Sequence, residues 1–232
     1  MLYALSMRIL LSLAAAVLVA VPLPAAACSV AGDYRIPTNM ELVEGADMIL
    51  LATVDGGTAI DAIDDPDAMR IDITPVAAIK GDRAAAPTSL PIALAPTPLA
   101  ILSHPYDLEH AHPLSQTGGC IRYMVPRGSR VLFFLRQSEG GWTPAGGPFS
   151  RWAEDVLTDD APWLQVVRLY AEAAALPADD RTAYLTARHD EYGARRDDPV
   201  AQLIAADIAR QLVGPNPPLR GELPPAPDDT DD

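Results

Sequence analysis

The sequence predicts an α+β protein. A β-rich portion, residues 28–150, precedes a helical region, 151–213, and a disordered acidic, Pro-rich tail, 214–232. Three observations carry this. Short apolar runs bounded by Gly and Asp recur before residue 145, apolar residues recur at helical spacing after residue 160, and the prolines gather at 87–113 and 215–227.

Residues 1–27 read as a secretory signal peptide. Arg8 is the only charge before Cys28, Ile9–Val21 is apolar apart from Ser12, and Pro22 and Pro24 break the run ahead of Ala25-Ala26-Ala27. The run falls short of the ~20 apolar residues a membrane span needs. Cleavage after Ala27 would make Cys28 the first mature residue of a periplasmic or extracellular protein. A lipoprotein peptidase would leave the same residue and acylate it. That enzyme prefers a larger aliphatic where Ala25 stands, so a lipid anchor at Cys28 is disfavoured. The second cysteine, Cys120, points the same way, because two cysteines in an exported chain more often pair than stay single. A Cys28–Cys120 bridge would close a loop of more than ninety residues, a constraint of about 4–5 kcal/mol in the chain-entropy account.

With 17 Lys and Arg against 31 Asp and Glu, the formal charge is −14. Nucleic acids and anionic membrane surfaces demand clustered cations, so neither is an expected partner.

The elements follow in order. Asn39–Ala46 reads as a short helix. Met48–Val54, stopped by Asp55-Gly56-Gly57, reads as a buried strand. Met69–Ile79 alternates and reads as a strand whose Pro75 requires an edge or a bulge. Lys80-Gly81-Asp82 ends it, and Ser89–Leu94 is a further short strand. Residues 95–119 form a long Pro- and His-containing excursion. Ser129–Arg136 gives the strongest strand signal, and Gly140-Gly141 turns it into a hairpin partner at Trp142-Thr143. Beyond it, helices are expected at 163–176, at 179–194, and from Pro199, which Asp197-Asp198 precede, to Gly214. Asp207 alone interrupts the apolar face of the last one. Its helices resemble one pair of a HEAT-like repeat, and one pair cannot bury its own face.

Several short runs, taken in order, resemble the netrin-like family, which includes the tissue inhibitors of metalloproteinases and exported bacterial relatives. They are Ala27-Cys28-Ser29, Ala46-Asp47-Met48-Ile49-Leu50, Ile79-Lys80-Gly81-Asp82, Gly119-Cys120 and Arg127-Gly128-Ser129-Arg130-Val131-Leu132-Phe133-Phe134. The resemblance covers 28–147, about half the chain. It implies a small, closed, five-stranded OB-like β-barrel and a Cys28–Cys120 disulfide. It also implies, by position, that the Cys28 amine and the Ser29 side chain would contact a protease. Val30 stands where the inhibitors carry a second cysteine. The family therefore implies a non-catalytic protein-binding or structural module of the cell envelope, with metalloprotease inhibition through Cys28 as the alternative.

A third reading rests on His104, His110 and His112, with Asp107 and Glu109 between them. The His110-Ala111-His112 spacing puts both imidazoles on one side of an extended segment, and these side chains suit zinc or copper. No His-Glu-x-x-His helix, Gly-x-Ser-x-Gly elbow or Gly-rich phosphate loop is present. Ser103 beside His104 is a poor catalytic pair, and Asp64-Asp65, Asp159-Asp160 and Asp179-Asp180 read as solvated or capping carboxylates. Trp142, Trp152 and Trp163 read as packing residues. No catalytic residues and no resident cofactor are predicted, and the expected partner is an unidentified protein.

Overall fold

The computed structural model describes residues 30–62, 68–117 and 119–219. The signal peptide, Cys28, Ser29 and the acidic pair Asp64-Asp65 lie outside the described residues.

Thr38 starts the first helix. Its hydroxyl accepts from the Glu41 N–H, and the Glu41 carboxylate accepts from the Thr38 N–H at 2.9 Å. This capping box opens α1, Asn39–Gly45. A long antiparallel pair follows, β1 (Met48–Gly57) with β2 (Ile71–Lys80). Pro75 sits opposite Ala52, beside a register shift between Leu51 and Ala52, which is the bulge that a proline without an N–H requires. Two short strands come next, β3 (Ser89–Leu90) on the edge of β2 and β4 (Ala93–Leu94), which pairs in parallel with β5 (Met124–Val125). β6 (Arg130–Ser138) lies along the other side of β1 and turns at Gly141 into β7 (Gly141–Pro144), the hairpin expected from Gly140-Gly141.

The sheet runs β3-β2-β1-β6-β7, and a strand past residue 150, β8 (Ala153–Asp155), pairs with β6 at Val131–Phe133. Among the described residues no sheet closes into a barrel, so the predicted OB-like closure is wrong. Two features explain it. β7 and β8 divide one edge of β6 between them, and β4 pairs with β5 rather than joining the far edges. A barrel also buries only its inward face. Here Met48–Ala52 and Val131–Leu135 are buried without interruption, so both faces are covered. Phe134 meets Trp163 on one side at 5.8 Å between ring centroids, and Phe133 meets Trp152 on the other at the same separation.

The helices belong to the same core. α2 (Pro162–Ala174) begins on proline and sends Leu164, Val167 and Tyr170 inward. α3 (Ala178–Gly193) buries only Leu185. α4 (Pro199–Val213) is capped by Asp198, whose carboxylate accepts from the Val200 and Ala201 N–H groups. One continuous cluster of buried side chains runs from Met40 to Ile208. This cluster spans the boundary expected at 150/151.

Asp207, the interruption in the apolar face of α4, is fully buried. Its carboxylate accepts from the Tyr170 hydroxyl at 2.5 Å, the Asn39 amide at 2.9 Å and Arg210 at 2.8 Å. These bonds tie α4 to α1 and α2. Asn216 donates to the Ile36 carbonyl and the Leu219 N–H to the Tyr34 carbonyl, so the first residues after α4 are strapped to the N-terminal segment. Among the described residues, no helix is long and apolar enough to cross a membrane.

Candidate functional site

The long excursion after β4 folds back over β8 and brings together a buried polar group with no counterpart in the strand pattern. Glu154 and Asp155, on β8, are almost entirely buried, as are Ser103, His112, Arg122 and Arg151. Buried charges persist only when paired. Arg122 lies 2.9 Å from Asp155, and Arg151 lies 3.6 Å from Glu154. The four charges cancel.

Ser103 is the keystone. Its hydroxyl donates to Glu154 Oε2 at 2.5 Å and accepts from the Asp155 N–H at 3.0 Å, while its own N–H donates to Asp155 Oδ2 at 2.8 Å. A hydroxyl has one proton to give, and here Glu154 takes it. No imidazole contacts it, so Ser103 is not poised as a nucleophile.

His112 has both ring nitrogens committed. Nδ1 accepts from the Leu114 N–H at 3.1 Å, which leaves Nε2 to carry the proton and donate to the Ile101 carbonyl at 2.9 Å. Its own N–H donates to Glu154 Oε1 at 3.0 Å. Burial and the neighbouring Arg122 cation push the imidazole down to about 4, so it is neutral across the physiological range. A second proton at Nδ1 would face the Leu114 N–H and break that bond.

Above this cluster opens a pocket of about 270 Å³. Ser103, Arg151, Asp155 and Trp163 form its inner wall; His104, Tyr106 and Leu157 stand at its mouth. The Arg151 guanidinium stacks over the Trp163 ring at 4.2 Å and donates from Nη1 to the Asp107 carbonyl at 2.7 Å. Three inner-wall side chains hold buried polar atoms without a hydrogen-bond partner: Arg151 Nε, Asp155 Oδ1 and Trp163 Nε1. Such atoms are rare in folded proteins and call for an explanation.

The structure separates the three predicted metal ligands. His104 and His110 are exposed, and His112 is buried with no free nitrogen, so His110 and His112 do not share a face. His110 Nδ1 lies 3.2 Å from Asp107 and His104 Nδ1 accepts from the Tyr106 N–H at 3.3 Å. The excursion is not extended there but turns, which breaks the period-2 argument. Among the described residues, no group of three or more His, Cys, Asp or Glu side chains is placed to hold a metal ion. Of the predicted disulfide and protease-contacting residues, only Cys120 is described. It takes a left-handed backbone, φ 58°, and its carbonyl accepts from Phe149 N–H at 2.6 Å, Phe149 itself having φ 57°. Asp159 pairs with Arg130, and Asp179 and Asp180 sit in the first turn of α3. Sequence reasoning missed Arg122, Arg151, Glu154 and Asp155. The available signal was an acidic pair followed by Val156 with no turn residue beside it, a place where solvated carboxylates are not expected.

Comparison with models of protein families, with curated proteins and with solved structures returns no match.

Proposed function

We propose that the protein is an exported, non-catalytic module that binds a partner protein in the cell envelope through the mouth of this pocket. The observation that supports the reading is that Tyr106 and Leu157, large apolar side chains lining the mouth, are left in water, with further exposed apolar residues on the same loop as Tyr106. Leu99, Ile101, Leu102, Tyr106 and Leu157 are 45–59 % exposed, on one loop and on the link between β8 and α2. Isolated exposed apolar residues need no explanation, but a cluster beside a pocket marks an interaction surface. The loop is also preorganised, because Ser103 and His112 anchor it to the ionic cluster from below. Preorganisation lowers the ordering cost of association. The non-catalytic part is supported by the same bonds: Ser103, His112 and Glu154 all spend their reactive atoms on fixed protein partners.

The test pairs two measurements. Mass spectrometry of the mature protein is expected to show Cys28 at the N-terminus, unacylated and bridged to Cys120; an acylated terminus removes the soluble exported form. Crosslinking in envelope extracts is expected to capture a partner with wild type and with Val213→Ser, whose residue is 88 % exposed on α4, but not with Leu102→Ser/Tyr106→Ser. Equal capture by all three overturns the reading.

A further inference from the structure

The Asp207 carboxylate is closed, but the amide that holds it has an open end. Asn39 is 8 % exposed. Its Nδ2 donates to the Leu108 carbonyl at 2.8 Å and to Asp207 Oδ1 at 2.9 Å. Two acceptors around one end of the amide fix that end as the nitrogen, because the reversed amide would set its oxygen against both. Asn39 Oδ1 is therefore a fixed acceptor. It accepts no hydrogen bond from the described residues, and it is not among the polar atoms closed to solvent. Asn39 lines a cavity of about 360 Å³ between the N-terminal segment, the excursion, α4 and the strap that follows α4. Oδ1 is the part of the side chain that this cavity reaches.

The walls around it are apolar, made by Ile36, Leu108, Phe149, Pro217 and Leu219. The strap forms the outer wall, held by the Asn216 amide on the Ile36 carbonyl at 2.9 Å and by the Leu219 N–H on the Tyr34 carbonyl at 2.8 Å. Two carboxylates, Glu109 and Asp207, and two guanidiniums, Arg151 and Arg210, also line the cavity. Arg210 lies 2.8 Å from Asp207 and 3.9 Å from Glu109, and Arg151 lies 3.6 Å from Glu154. Each lining charge already faces an opposite one, so an ionic ligand would bring in a charge without a partner.

We propose that this cavity is a binding site for a small neutral molecule with an apolar body and one N–H or O–H donor, which bonds to Asn39 Oδ1. Apolar walls with few, well-placed polar groups are the general form of a small-molecule site. Asn39 spends both its N–H groups inside the protein, so a head that only accepts, such as a ketone or an ether, gains no bond from it. About 360 Å³ accommodates one small ring system.

The experiment follows the Asn39 NH2 pair in the ¹⁵N spectrum of the mature chain, assigned through the Asn39 backbone, during titration with indole and with benzofuran. The two compounds share one bicyclic outline, and benzofuran carries an ether oxygen where indole has its N–H. Indole is expected to shift the pair saturably, and benzofuran to bind about five- to tenfold more weakly, the factor for one neutral hydrogen bond. Tryptamine and indole-3-acetate, which add a charge of either sign, are expected to bind more weakly than indole. Asn216→Ala cuts one bond of the outer wall and is expected to weaken indole binding several-fold, whereas Tyr106→Ser, at the other pocket, leaves it unchanged. Equal binding of indole and benzofuran overturns the acceptor role of Asn39, tighter binding of either charged compound overturns the neutral ligand, and no saturable shift with indole overturns the site and leaves Oδ1 to water. The indole–benzofuran comparison is made on the wild-type chain, so it stands whether or not a variant folds.

Discussion

Among the described residues, buried charges gather in two groups, around Asp207 and around Asp155, and they are finished to different degrees. Around Asp207, both carboxylate oxygens are bonded, to Asn39 and Arg210 on one side and to Tyr170 on the other. None of these side chains has an unpartnered buried polar atom. Around Asp155, the charges also cancel, yet Asp155 Oδ1 and Trp163 Nε1 lack hydrogen-bond partners, and Arg122 Nη2 and Arg151 Nε have only their ion-pair contacts to Asp155 and Glu154. Asp207 closes a seam between three helices, and its bonds end inside the protein. The Asp155 group lies beneath a pocket whose inner wall is formed by Ser103, Arg151, Asp155 and Trp163. The contrast teaches that burial of charge alone does not mark a site; the incomplete hydrogen-bond inventory does.

The largest expected effect breaks the finished group. Asp207→Ala removes one acceptor that serves Tyr170, Asn39 and Arg210, and leaves the buried Tyr170 hydroxyl without a partner and the Asn39 amide with the Leu108 carbonyl alone. A loss of about 3–5 kcal/mol in urea denaturation is expected, the range for stripping one member from a buried charged pair. A loss under about 1 kcal/mol would mean that water replaces the carboxylate and the seam is not sealed.

Next in size is the pH dependence that separates the groups by sign. The His112 imidazole is held down to about 4 in the folded protein against an ordinary value of 6.5. The unfolded chain therefore binds the extra proton between those values. Stability from this residue is fully present above pH 6.5 and is lost as pH falls toward 4, by at most about 3 kcal/mol at 1.36 kcal/mol per unit. Burial moves the Asp207 carboxyl the other way, up from its ordinary range. The folded protein then holds the proton longer than the unfolded chain, and the Asp207 contribution shrinks as pH rises through the unfolded value. Urea midpoints measured from pH 4 to 7 are expected to rise more steeply with pH in Asp207→Asn than in wild type, and to flatten in His112→Gln. A wild-type slope unchanged by His112→Gln would show that the imidazole is not locked.

The two groups also differ in how well they can be read from sequence. Asp207 stands out on a helix face made of Val200, Leu203, Ile204, Ile208 and Leu212, so its burial is legible in the pattern of α4. The strands at 48, 71 and 130, the Gly140-Gly141 hairpin, the Pro75 bulge and all three later helices are legible for the same reason, because local periodicity and turn chemistry carry them. Closure of the sheet is not local. It depends on which edges pair, and the Ala153-Glu154-Asp155 strand that takes half of the β6 edge has no apolar alternation to announce it. The same three residues hide the candidate site, since its carboxylates look like surface charge until Arg122 and Arg151 arrive from more distant sequence. The histidines mislead for the opposite reason: a cluster in sequence is not a cluster in space, because the turns between His104 and His112 disperse it.

Tyr170→Phe and Trp163→Phe form the most direct test of the contrast, and they carry the smallest effects. Each deletes one buried donor from an aromatic side chain and leaves an aromatic ring. Tyr170 loses a bond to a carboxylate and strands Asp207 Oδ2, a cost of about 2 kcal/mol. Trp163 loses an N–H that bonds to nothing among the described residues, so only the smaller ring counts, about 1 kcal/mol from the space left behind. Denaturation midpoints of the two variants, measured side by side, should therefore place Tyr170→Phe below Trp163→Phe. The reverse order would show that the Trp163 N–H has a partner in the free protein, and the pocket floor would then be as complete as the seam around Asp207.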